Sequence, residues 1–204
     1  MSYNYAVVGA TGSVGREIIQ ILAERDIPVG AVTAVASERS VGTEVSYGDD
    51  DVLKVQNLEE FDFGNTDIVL SSPGAQVSAG FASRATAAGA VLIDNTSQFR
   101  MDPDVPLVVP EVNPEAVAQY RNKNIIANPN CSTIQMVVAL KPIHDVAGIK
   151  RIVVSTYQSV SGVGKAGMDE LFNQTRGVYV NEPAEKFKEN FGKPIAFNVI
   201  PHID

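Results

Sequence analysis

Apolar and polar positions along the first half of this chain alternate between short apolar runs and amphipathic stretches. Tyr3 to Val8 is an apolar run, and Ser13 to Arg25 carries Val14, Ile18, Ile21 and Leu22 at helical spacing. Ala31 to Ala36 predicts a second strand. Val45 to Val55 predicts a hairpin turning at Gly48-Asp-Asp-Asp51. A third strand is expected over Asp67 to Ser71, an alanine-rich helix over Ser78 to Ala88, and a fourth strand over Val91 to Asp94. Strands alternating with helices in this way specify an α/β fold, a Rossmann-like doubly wound parallel sheet. Asp102-Pro-Asp-Val-Pro-Leu-Val-Val-Pro110 is a proline-punctuated connector, and no internal repeat or low-complexity tract is present.

The pattern changes from Ile149, within a second domain that begins near residue 130. Lys150 to Gln158 reads as a long strand rich in β-branched residues, followed by a glycine-rich loop at Ser161-Gly-Val-Gly164, a helix near Met168 to Thr175 and a polar segment to Lys193. Two domains are therefore expected: residues 1–129, and residues 130–204 as the beginning of an α+β catalytic and dimerisation domain. The last residues, Pro201-His-Ile-Asp204, read as the end of a strand with no closing helix or polar tail. A sheet begun so late leaves edges uncovered, so the chain is expected to be a truncated part of a longer protein.

Composition narrows the function classes. The chain has 204 residues, 45% of them hydrophobic, which is enough for a sizeable core. No apolar run reaches the roughly 18 residues that a membrane span requires, and the N-terminus lacks the basic and apolar regions of a signal peptide. The cytoplasm is the expected compartment, and a single cysteine, unable to form an internal disulfide, agrees with it. A net charge of −8 argues against nucleic acid as a partner. No metal-ligand set is assigned.

Gly9-Ala-Thr-Gly12-Ser-Val-Gly15 lies between the first strand and the first helix. A dinucleotide-binding loop needs that context: a tight turn, bare backbone against the pyrophosphate and a helix N-terminus facing the negative charge. Gly9, Thr11, Gly12, Ser13 and Val14 are the candidate contacts. The second strand ends Ala36-Ser37-Glu38-Arg39-Ser40. Arg39 between serines suits a 2′-phosphate, so NADP is favoured, while Glu38 leaves NAD open. The same glycine spacing occurs in short-chain dehydrogenases, which use a tyrosine with a lysine four positions on, and none of the six tyrosines here has one.

The chemistry is expected to run through Cys131 instead. Asn128-Pro-Asn-Cys131-Ser-Thr-Ile-Gln135 sets the only cysteine where a strand gives way to a helix, among capping residues. Unpaired N–H groups at a helix start stabilise a thiolate, the nucleophilic form. A nicotinamide cofactor and a cysteine nucleophile together suggest aldehyde oxidation through an acyl thioester.

Five ordered motifs then resemble the aspartate-semialdehyde dehydrogenase family, in its bacterial-type branch. They are the glycine loop, Asp94-Asn-Thr-Ser-Gln-Phe-Arg100, Val108-Val-Pro-Glu-Val-Asn113, the Cys131 segment, and Ser155-Thr-Tyr-Gln158-Ser-Val-Ser-Gly162. The resemblance implies reversible phosphorylating oxidation of L-aspartate 4-semialdehyde to 4-aspartyl phosphate with NADP, in lysine, methionine and threonine biosynthesis. It implies that Cys131 carries the acyl group, that Gln158 orients the semialdehyde, and that Arg100 and Asn130 bind the attacking phosphate. Thr11 to Val14, Ser37, Arg39-Ser40 and Ser161-Gly162 match cofactor contacts. The full-length assembly is implied to be a homodimer or a tetramer.

The sequence also departs from the family. Its general base is a histidine in the second half, with an arginine for the substrate carboxylate, and neither is matched here. His144 reads as a surface or structural residue on the helix after Cys131, and His202 precedes the region where the family's histidine falls. The chain alone is therefore expected to be inactive. Two other readings stand beside the main one: a non-catalytic dinucleotide-binding fragment, and a related reductase such as N-acetyl-glutamyl-phosphate reductase.

Overall fold

The computed structural model describes residues 1–182 and 189–201. Met1–Val154 form one compact unit and Ser155–Asp204 a second. In chain order the first unit contains β1 (Tyr3–Val8), α1 (Ser13–Glu24), β2 (Val29–Ala36), β3 (Glu44–Tyr47), β4 (Asp51–Lys54) and β5 (Gln56–Asn57). It continues through β6 (Ile68–Ser71), α2 (Ala75–Ala87), β7 (Val91–Asp94), β8 (Ile125–Ala127) and α3 (Cys131–Ala147).

Six strands form one sheet in the order β5-β2-β1-β6-β7-β8, every pair parallel. The strand order reverses between β1 and β6, and ligand crevices of such sheets open at the carboxyl ends of the strands beside that reversal. Both faces are buried, as the near-continuous apolar character of the strands requires. Ala6 and Val8 pack with Phe63, Val69, Phe81 and Leu92 on one face, while Tyr5 and Val7 pack with Ile19, Leu22, Ala34 and Val45 on the other. The doubly wound sheet expected from the sequence is the sheet observed. The predicted hairpin is β3–β4, with Tyr47 opposite Asp51.

Some elements differ from expectation. The run from Lys150 to Gln158 forms no strand. Its residues are β-branched, but a strand exists only with a ladder partner, and none of the described residues supplies one. Ile152, Val153, Val154 and Tyr157 are exposed as a result. A 3₁₀ stretch over Pro114–Asn122 has no counterpart in the periodicity reading. Helix α3 is apolar, yet none of its residues is buried, unlike α1 with Ile19 and Leu22. No helix among the described residues is long and apolar enough to cross a membrane. His202 and the expected strand end at Pro201-His-Ile-Asp204 fall on or beyond the edge of the described residues, His202 outside them.

The second unit is built on α4 (Lys165–Tyr179), longer at both ends than the predicted helix. Two polar residues on its inner face hold the following chain. Glu170 is buried, and its Oε2 accepts the backbone N–H groups of Glu189 and Asn190 and the side-chain amide of Asn190. Gln174, at 0% exposure, donates to Glu170 Oε1 and accepts the N–H groups of Ile195 and Ala196 through Oε1. Burial pushes the Glu170 carboxyl up, but the donors from Asn190, Glu189 and Phe191 outweigh it and hold the group below the usual carboxylate range.

A folded value below the ordinary one fixes the sign of the pH dependence. The stabilisation is complete above about 4.5 and is lost as pH falls through the lower folded value. Glu170→Gln should therefore destabilise the protein by about 1–3 kcal/mol near neutral pH. The gap to wild type should narrow on acidification below pH 4.5. Urea denaturation followed by circular dichroism at several pH values measures it, and a constant gap would assign the cost to shape alone.

Candidate active site

The glycine loop follows β1 at the carboxyl edge of the sheet. Gly9 has φ +86°, and a Cβ there would lie 2.9 Å from the backbone C and O of Ser72. Gly15 is tighter still: a Cβ would meet Gly9 O at 2.2 Å. These two positions accept only glycine, because one needs a left-handed backbone beside another strand's exit and the other lets α1 press against the loop. Gly12 N–H donates to Gly9 O, and Gly9 N–H to Val35 O, so the loop is fixed to itself and to β2. No side chain caps α1, and its first turn carries no acidic residue. Its N-terminal amides are thus left facing outward for an anion.

At the end of β2, Ser37 precedes a 3₁₀ turn over Glu38–Ser40. Arg39 is exposed on it. Ser40 Oγ lies 3.4 Å from Thr11 Oγ1, which joins this turn to the glycine loop.

A buried polar network organises the neighbouring edge. Asp94, at 0% exposure, ends β7. Its carboxylate accepts the Ser78 hydroxyl at 2.9 Å, the Thr96 hydroxyl at 2.7 Å and the Thr96 N–H at 3.2 Å, and Ser78 also pairs with Ser71. The turn so fixed presents Asn95. Asn128 donates to Asn95 Oδ1 at 2.6 Å, and Asn95 donates to Ser72 Oγ. Arg100 returns across both segments, donating from Nε to Asn128 O at 2.9 Å and from Nη2 to Asn95 O at 3.0 Å. Its Nη1 has no hydrogen-bond partner among the described residues.

Two residues beyond Asn128, Asn130 caps α3. Its Oδ1 accepts the Ser132 N–H at 3.0 Å and the Cys131 thiol at 3.9 Å. Cys131 is the first residue of α3 and is exposed. Asn130 therefore holds the helix start with its oxygen, while its amide nitrogen has no partner among the described residues. The loop after β8 thus assembles an accessible thiol, a capping amide and an arginine anchored on the adjoining carbonyl. That set can perform nucleophilic chemistry on a carbonyl next to an oxyanion. His144 sits at the other end of α3, where its Nδ1 accepts the Ile149 N–H.

Gln158, Ser161 and Gly162 belong to the second unit. Gln158 is exposed, its amide donating to Thr156 Oγ1 at 3.3 Å. Ser159 caps the 3₁₀ turn Val160–Val163 by accepting the Ser161 N–H, and its hydroxyl pairs with that of Ser161 at 2.8 Å. A shallow groove runs beside Gln158, walled by Val160, Leu171, Ile195 and Phe197.

Sequence reasoning reached Cys131, Arg100 and the glycine loop and missed the supporting residues. Ser71, Ser78 and Thr96 carried no signal of their own. The one available was an aspartate closing an apolar strand, which needs donors from somewhere.

The model for the semialdehyde dehydrogenase NAD-binding domain matches residues 4–120, and that for the semialdehyde dehydrogenase dimerisation domain matches residues 140–204. The chain is 56% identical over 202 residues to aspartate-semialdehyde dehydrogenase 2 of Vibrio cholerae, covering 99% of this chain and 59% of that protein. Among solved structures, aspartate semialdehyde dehydrogenase II of Vibrio cholerae complexed with ASA superposes with a TM-score of 0.93 at 55% identity, over 100% of this chain and 60% of that one. The Candida albicans enzyme with NADP gives 0.62 at 31% identity, over 73% of this chain and 48% of that one. The chain thus spans about 59% of the length of the Vibrio protein.

Two outcomes follow from this geometry. Asn130→Ala should cost about 1 kcal/mol in denaturant titration, the usual worth of an N-cap, and Asn130→Asp should keep most of it. The exposed Cys131 should react with a disulfide reagent to one equivalent in the native protein, and Cys131→Ser should show none. A native thiol that reacts only in denaturant would contradict the exposed position.

Proposed function

The chain belongs to the semialdehyde dehydrogenase family, and from that premise we propose that it serves the NADP-dependent phosphorylating oxidation of L-aspartate 4-semialdehyde to 4-aspartyl phosphate. The observation that carries this reading is the exposed Cys131 at the start of α3, three residues after Asn128, whose carbonyl oxygen together with that of Asn95 anchors Arg100. In the biosynthetic direction, toward lysine, methionine and threonine, the same residues act in reverse order.

The Cys131 thiolate adds to the aldehyde carbon, giving a thiohemiacetal on sulfur. Loss of a hydride converts it to a thioester, and phosphate attack on that carbonyl releases the acyl phosphate and restores the thiolate. Arg100 offers Nη1 and the remaining Nη2 proton to the phosphate, and the Asn130 amide can add a donor. Gln158 and its groove in the second unit are assigned to the carbon chain of the semialdehyde. NADP, when bound, supplies the hydride acceptor. The residues present fit it: the uncapped start of α1 and the loop that any Cβ at Gly9 or Gly15 would obstruct suit the pyrophosphate, and Ser37, Arg39 and Ser40 suit the 2′-phosphate. Ser161 and Gly162 are assigned to the nicotinamide end.

Further parts of this reading have their own support. The family models at 4–120 and 140–204 flank residue 130, in keeping with a nucleotide-binding domain over 1–129 and a catalytic and dimerisation domain from 130 onward. The unburied apolar residues of α3 and the exposed Ile152 to Val154 give a homodimer, or a tetramer, surface to cover. A cytoplasmic location agrees with a lone free cysteine.

A base is the weak point of the set. His144 is engaged by Ile149 at the far end of α3, so no described histidine stands by the thiol, and among the described residues proton transfer worth roughly 10²–10⁴-fold has no histidine to provide it. The purified chain should accordingly bind NADP and form an acyl adduct on Cys131 slowly, seen by intact mass after incubation with the semialdehyde and NADP and absent in Cys131→Ser. It should not sustain phosphate-dependent NADPH formation. Absence of the adduct would overturn the proposed chemistry and leave a non-catalytic nucleotide-binding chain. Steady turnover abolished by Cys131→Ser would instead reveal a base within these residues.

Cofactor choice gives a separate outcome. Arg39→Ala should weaken NADP binding about ten-fold or more by calorimetry and NAD binding far less, since only NADP carries the extra phosphate. Equal losses would remove Arg39 from the 2′-phosphate.

A further inference from the structure

The geometry points to Arg16 as a second cation for the 2′-phosphate of the cofactor, acting with Arg39 across the contact between Thr11 and Ser40. This inference rests on the NADP reading above. Arg16 lies in the second turn of α1, and its backbone N–H closes the helix onto Gly12 O. A helical side chain leans toward the N-terminus of its own helix. Arg16 does so, and its Nε donates to the carbonyl oxygen of Thr11 at 3.2 Å. The guanidinium is therefore held at the glycine loop instead of extending along the helix into solvent.

The contacts continue from there. Thr11 Oγ1 stands 3.4 Å from Ser40 Oγ, and Ser40 closes the 3₁₀ turn that carries Arg39. One chain of contacts thus runs from the Arg16 guanidinium through Thr11 to the turn assigned to the 2′-phosphate. Arg16 spends only Nε on the protein, and its two terminal nitrogens have no partner among the described residues. Nor is its charge neutralised, because no carboxylate lies within ion-pair distance of it among those residues. A planar fork with both terminal nitrogens available suits the oxygens of a phosphate monoester. The hydroxyls of Thr11 and Ser40 add two further donors, one on the loop that anchors Arg16 and one on the turn that carries Arg39. Glu38, on the same turn, carries the opposite charge, and a second arginine offsets its repulsion of the anion.

Fragments of the cofactor separate the possibilities. Adenosine 2′-monophosphate carries the distinguishing phosphate without the pyrophosphate, and adenosine 5′-diphosphate carries the reverse. By calorimetry, Arg16→Ala should weaken adenosine 2′-monophosphate and NADP about ten- to hundred-fold and leave adenosine 5′-diphosphate and NAD within about two-fold. Arg16→Lys, which keeps the charge and loses the fork, should fall between. Unchanged NADP affinity in Arg16→Ala overturns the proposal. So does an equal loss of both fragments, which would place Arg16 at the pyrophosphate or in the support of the loop. A wild-type chain that binds neither fragment overturns the dinucleotide reading itself, and the proposal with it.

Discussion

A carboxylate with no access to water fixes one whole side of the candidate site. Asp94 closes β7 in the interior, where an ionised group without partners costs several kcal/mol. Among the described residues no cation lies beside it. Its satisfaction comes from Ser78 on α2 and from the hydroxyl and N–H of Thr96, so helix, strand and turn are bound to a single group. Asn95, trapped between two such residues, has little freedom left. From that fixed point the path runs through Asn128 to the Arg100 guanidinium and the turn holding Cys131. The position of the thiol is a consequence of how a buried aspartate, on the strand next to the β8 edge of the sheet, is satisfied.

On the other side of the strand reversal the constraint is steric. The backbone of the loop passes so near Ser72 and α1 that side-chain atoms are excluded at Gly9 and Gly15. What remains is bare peptide N–H groups at an uncapped helix start. The two edges therefore prepare for anions by different means. One uses backbone dipoles, the other charged side chains, and both avoid the entropic cost of recruiting a mobile lysine.

Much of this was legible in the sequence because it depends on local rules. The strand periodicity of Tyr3–Val8 and Val91–Asp94, the glycine spacing and the capping residue before Cys131 each act over a few residues. What was not legible depends on partners distant in the chain. Lys150 to Gln158 has every local attribute of a strand and is none, because pairing is a property of two segments. Glu170 and Gln174 read as the polar face of a helix, yet both are buried, since the chain at 189–196 brings its N–H groups to them. Ser78 reads as a filler in an alanine-rich helix and proves to be a ligand of the buried aspartate. Side-chain chemistry announces what a residue can donate or accept, and only the fold decides to whom.

Anchoring on backbone carbonyls ties these cases together. A free arginine loses about 2 kcal/mol of rotamer entropy when it clamps an anion. Arg100 has already given up that freedom to Asn95 O and Asn128 O, and Arg16 has given up part of it to Thr11 O. A carbonyl is a neutral acceptor, so it orients the guanidinium without cancelling its charge, as a carboxylate would. The ordering is then a cost of folding, met by the same bonds that shape the loops, so each guanidinium is oriented before any anion is present. Arg100 stands after β7 and is tied to the loop after β8 that leads to the thiol, while Arg16 reaches back from α1 to the glycine loop. Placing the arginines, the thiol and the bare loop amides is therefore one structural problem, met at the carboxyl edge of the sheet.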